Sequence, residues 1–175
     1  GGEAVLRPAE PSPTKTLIRV RADDVRIAGL KLVDAGIAIR WNGVPALKNL
    51  TVENNLFADN YNDFEVSGTD APSGLRIQGN RSEGNLTRSI SLYQVPGKTD
   101  LAITGNEIIG SYAPVHIGQA DGVEVSGNRF DMTENVWQYA MMLADDVANV
   151  EITGNDFDGN GKAPLGLRTW DTTSV

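Results

Sequence analysis

Six times the chain repeats one short phrase: apolar, any residue, apolar, any residue, Gly or Asn, Asn, any residue, apolar. The copies begin at Val25, Leu50, Leu75, Leu101, Val123 and Val150, at intervals of 25, 25, 26, 22 and 27 residues, and the first carries Leu30 where the others carry Asn. The two leading apolar residues are two positions apart, so on a strand they share one face. Gly then accepts a positive φ and Asn tolerates the left-handed region, so the strand ends in a turn. A single copy cannot bury its apolar face. Copies at a period in the twenties bury it by stacking, which makes the chain a solenoid.

A second set of residues keeps the same period. The alternating pairs Ile39/Trp41, Phe64/Val66, Ile90/Leu92, Val115/Ile117, Met141/Leu143 and Leu165/Leu167 advance by 25, 26, 25, 26 and 24 residues. These predict a second inward-facing strand in every coil. Between the two strands an apolar residue turns back inside at Leu32, Phe57, Ile108, Phe130 and Phe157, and Ser82 breaks that column. Stacked asparagines at the turns are expected to bond the backbone of neighbouring coils. The Pro-rich residues 1–24 form an N-terminal edge or cap segment, with Leu17, Ile18 and Val20 offering an edge strand, and residues 25–175 form the solenoid. The last coil runs out at Thr169-Trp-Asp-Thr-Thr-Ser-Val175 without a polar cap, which predicts a homo-oligomer contact or a continuation of the solenoid at that end.

The 175 residues suffice for one domain. A net charge of −8 repels phosphate backbones and argues against nucleic acid as a partner. The absence of cysteine excludes disulfides and thiolate metal sites. No apolar run is long enough to span a membrane, so no membrane partner is expected.

Two repeat architectures fit the phrase. Leu47-x-x-Leu50-x-Val52-x-x-Asn55-x-Phe57 satisfies the leucine-rich-repeat template, which would imply a protein-binding module. Against it, Gly precedes Asn in four of the six copies, and the second arc alternates with period two and carries Pro114 and Pro164. The stronger reading is an all-β, right-handed, single-stranded parallel β-helix of about six coils with about 25 residues per coil. On these residues the chain resembles the right-handed β-helix repeats of the pectate-lyase-like superfamily, over about residues 17–170.

That resemblance implies an extracellular or cell-surface protein that binds or cleaves acidic polysaccharide, of the lyase or epimerase type. The alternative is a non-catalytic structural or glycan-binding segment of an adhesin or phage tailspike. No catalytic motif of the superfamily carries over: Asp23-Asp24 and Asp145-Asp146 stand alone, and the single histidine is His116. Candidate sites therefore come from the columns that the repeat defines. One outward column of the second strand runs Arg40, Glu65, Ser91, His116, Met142, Gly166, and its neighbour runs Asn42, Ser67, Tyr93, Gly118, Ala144, Arg168.

Proton abstraction next to a uronate carboxylate needs a base and a neutralising cation. Tyr93 and His116, with Arg88 just before the strand, are the candidate catalytic group. Glu65 and Arg168 are candidate substrate contacts. The fifth coil is long, and the extra residues carry Trp137 and Tyr139, whose rings suit stacking on sugars. On the first strand Glu124 falls beside Glu151, a like-charge stack that a bound calcium, or an arginine such as Arg76, would relieve. Turn chemistry accounts for Asp121, Asp145, Asp146 and Asp171.

Overall fold

The computed structural model describes residues 4–42, 47–67, 73–93, 98–132, 139–144, 147–159 and 161–168, with the backbone alone described for Asn42, Tyr93, Lys98, Thr99, Leu167 and Arg168. Two strands, β1 (Ala4–Leu6) and β2 (Thr16–Arg19), precede six coils of three strands each. The first coil holds β3 (Val25–Ala28), β4 (Leu30–Val33) and β5 (Ile37–Asn42), and the second β6 (Lys48–Glu53), β7 (Leu56–Ala58) and β8 (Asn62–Ser67). The third holds β9 (Ser73–Gln78), β10 (Arg81–Glu83) and β11 (Arg88–Tyr93), and the fourth β12 (Lys98–Thr104), β13 (Glu107–Ile109) and β14 (Ala113–Gly118). The fifth holds β15 (Asp121–Ser126), β16 (Arg129–Asp131) and β17 (Tyr139–Ala144), and the sixth β18 (Ala148–Thr153), β19 (Asp156–Asp158) and β20 (Ala163–Arg168).

Strands of successive coils pair in parallel and build three sheets along the stack: sheet 1 (β3-β6-β9-β12-β15-β18), sheet 2 (β1-β4-β7-β10-β13-β16-β19) and sheet 3 (β2-β5-β8-β11-β14-β17-β20). This is the parallel β-helix that the repeat predicts. Three strands per coil, with no helix among the described residues, set aside the leucine-rich-repeat alternative. Sheet 2 was not foreseen as strands, because three residues are too few to show an alternation.

Register follows the columns. Leu50 lies beside Leu75, and Leu75 beside Leu101, while Ile39, Phe64 and Ile90 make the facing row. Most of these residues are under 5% exposed and form one continuous core. At the C-terminal coil Phe157 stacks on Phe130 with ring centres 5.0 Å apart.

The chain turns at left-handed residues. Gly29, Asn54, Gly79, Gly105, Gly127 and Gly154 occupy one slot with φ between 52° and 68°. Asp24, Asn49, Gly74, Asp100, Gly122 and Asn149 occupy a second slot, and Asp34, Asp59, Gly84 and Gly110 a third. These residue types reach that region at least strain.

Beside the first slot runs the asparagine ladder. The Asn106 carboxamide oxygen accepts from the backbone N–H of Asn80 at 2.9 Å and from its Nδ2 at 3.0 Å, and Asn106 Nδ2 donates to the Ile77 carbonyl at 2.9 Å. Asn55, Asn80, Asn128 and Asn155 repeat the pattern toward the preceding coil. Asn55, Asn80, Asn106 and Asn128 are at most 4% exposed, so each side chain replaces the water that the turn has excluded.

Ser82, the break in the inward column, sits where Asp63 enters the core. The Asp63 carboxylate accepts from Asn60 Nδ2 at 2.9 Å, from Ser82 Oγ at 2.6 Å and from Asn85 Nδ2, and Ser89 closes the cluster 2.7 Å from Ser82. A cavity of about 20 Å³, the size of one water, lies beside it, lined by Phe57, Ile77, Ile108 and the polar cluster. Burial pushes the Asp63 carboxyl up to about 7, against the four donors that favour its charged form.

Replacing Asn106 by Ala orphans two N–H groups of Asn80 and the Ile77 carbonyl, and should destabilise the fold by roughly 3 kcal/mol or more in denaturant unfolding. Asn155→Ala, at a less buried rung, should have a smaller effect. Asp63 binds a proton more tightly in the folded than in the unfolded chain, so its stabilising contribution is full below pH 4 and is lost as pH rises through about 7. Asp63→Asn should flatten that slope between about pH 4 and pH 8, measured as the unfolding midpoint against pH.

Candidate functional site

The strands of sheet 3 carry Glu65, Arg88, Tyr93, His116, Tyr139 and Arg168. The pairing Arg40–Glu65–Ser91–His116–Met142–Gly166 holds from coil to coil as one row. Adjacent rungs are about 4.8 Å apart, so His116 stands two rungs, about 10 Å, from Glu65. Ser91 is fully buried, Met142 is 8% exposed, and His116 between them is half-buried. Tyr93 and Arg168 lie in the neighbouring row by backbone register, beside Ser67 and Ala144 respectively, and their side chains lie outside the described residues, as does Trp137. Arg88 sits at the head of its strand, between Asn62 and Ala113.

Glu65 is engaged by the protein itself. Arg40 Nε donates to its Oε1 at 2.9 Å with a second contact from Nη2, and Asn62 Nδ2 donates to Oε2 at 3.1 Å. Glu65 as a whole is 9% exposed. Tyr139 lies across the sixth coil: a Cβ added at Gly166 would come 2.6 Å from its ring, so only glycine admits this close approach.

The other two faces are polar. On sheet 1 Glu124 and Glu151 are register neighbours and both exposed, and Glu124 Oε1 accepts from Ser126 Oγ at 2.7 Å. Arg76 turns instead to Asp100, with Nη2 3.0 Å from its carboxylate. Hydrogen bonds from Gln78 and then from Arg26 hold the Glu53 carboxyl below its ordinary range. On sheet 2, Glu107 is clasped between Arg81 and Arg129 of the flanking coils. Charge is uneven along the sequence: residues 1–87 carry ten Lys and Arg against eleven Asp and Glu, and residues 88–175 carry five against twelve.

One group at the corner between sheets 2 and 3 escaped the sequence reading. Tyr61, Leu86 and Tyr112 occupy equivalent slots, because each donates its backbone N–H to the coil before, to Ala35, Asn60 and Asn85. They are 40%, 60% and 40% exposed. In the first coil the slot is Gly36, where a Cβ would come 2.4 Å from the backbone of Pro13. The third coil has one extra residue here, so the Tyr61 carbonyl accepts from both Thr87 and Arg88, and Leu86 stands out. The signal was present: a large apolar residue follows each of Asn60, Asn85 and Ser111.

Residues 14–174 match the family described as NosD: Periplasmic copper-binding protein (NosD). No curated protein and no solved structure matches the chain. A periplasmic family accords with the extracellular or cell-surface location that the repeat resemblance implied.

Gly166→Ala should displace the Tyr139 ring and destabilise the sixth coil by about 1–3 kcal/mol, read as a lowered thermal midpoint.

Proposed function

The chain belongs to the NosD family, and from that premise we propose that it is an exported, non-catalytic β-solenoid that binds polysaccharide along the outside of its coils. The observation that carries this reading is the commitment of Glu65. Its carboxylate receives hydrogen bonds from Arg40 and Asn62, which leaves it holding the sheet together rather than serving as the substrate contact of a catalytic group. The rows outside the coils repeat at about 4.8 Å, and a surface periodic in one direction suits a ligand that is itself a linear repeat.

The family description names copper. Copper sites draw on thiolate, thioether and imidazole donors. This sequence has no cysteine and one histidine, and the neighbour of His116 along its row is Met142. Among the described residues no three His, Cys, Asp or Glu side chains come together to hold a metal. One imidazole beside one thioether does not fit a closed copper site. Glu124 and Glu151 likewise fall short of the six to eight oxygens that calcium takes.

The test is a panel of immobilised neutral and acidic polysaccharides, with product formation followed by ultraviolet absorbance on the polyuronates. Retention without unsaturated product is the expected result. Unsaturated product that disappears in His116→Ala would return the sheet 3 face to catalysis.

A further inference from the structure

We propose that the Tyr61–Leu86–Tyr112 stripe is the contact line for an uncharged polysaccharide, laid parallel to the stack axis. This rests on the polysaccharide-binding reading above, and it names both the ligand class and a place other than the sheet 3 face.

Three observations converge on it. The side chains occupy one slot on three successive coils, fixed by equivalent backbone hydrogen bonds. The two tyrosines are therefore two rungs apart, about 10 Å, a span comparable with a disaccharide unit of an extended chain. A phenol ring offers an apolar face and a polar edge, as does a pyranose ring, and Leu86, 60% exposed, occupies the slot between them.

Polar groups rim the stripe. On the sheet 3 side Thr87 Oγ1 donates to Asn62 Oδ1, and Arg88 heads the strand behind. With a net charge of −8 the molecule repels polyanions, which selects a neutral chain over a polyuronate.

The width of the stripe argues against a folded protein as the occupant. Stable protein interfaces bury about 800 Å² on each partner. A single file of three side chains serves a linear ligand one sugar wide. Toward the N-terminal coil the line is closed by Pro13 packed on Gly36, which sets one end of the track.

The experiment measures binding of cellohexaose, xylohexaose, mannohexaose and hexagalacturonate to the parent chain and to Tyr61→Ala, Tyr112→Ala, Tyr61→Phe and Tyr112→Phe. The expected result is binding of at least one neutral hexasaccharide. Each Ala variant should weaken it about three- to tenfold, each Phe variant should leave it within about twofold, and thermal midpoints should not move. Neutral binding that both Ala variants leave intact overturns the stripe but spares the polysaccharide reading. Binding of hexagalacturonate alone overturns the neutral ligand. Binding of none, with the wider panel also negative, removes the polysaccharide reading itself.

Discussion

The fold depends on how its corners satisfy the backbone. A coil that turns three times in about 25 residues must take peptide groups out of the sheet ladder and bury them. Left-handed Gly, Asn and Asp make the turns sterically accessible, and the asparagine ladder then supplies acceptors and donors to the groups that the turns strand. Apolar stacking drives the coils together, but it does not choose among strand registers offset by two residues, which keep the same face inward. The carboxamides do, because each must meet one amide and one carbonyl of the coil before it.

Much of this was legible in the residues. The phrase at Leu75-x-Ile77-x-Gly79-Asn80 specified inward face, turn and ladder at once, and the row from Arg40 to Gly166 was placed rung by rung. Sheet 2 was not legible, since Arg81-Ser82-Glu83 is too short to reveal a period. The Ser82 break was visible in sequence, yet its partner was not. Asp63 lies 19 residues away, and only the coil geometry brings its carboxylate to the hydroxyl.

The functional groups divide in the same way. Sequence placed Glu65 and His116 in one row correctly, but a column cannot tell whether a carboxylate is available. The bonds from Arg40 and Asn62 depend on side-chain directions that spacing does not encode. Tyr61 and Tyr112 escaped for another reason. The repeat draws attention to what it keeps constant, and their slot holds Gly36 in one coil and Leu86 in another.

The uneven charge has a consequence for how the molecule meets its surroundings. Residues 1–87 of the chain carry a net −1 and residues 88–175 a net −7. Separated charge on a rod is an electric dipole along its axis. Near an anionic surface such a rod swings its neutral half inward and its acidic half outward, and added salt relaxes that alignment. Any polymer lying along the coils would then be presented in a fixed direction relative to the surface.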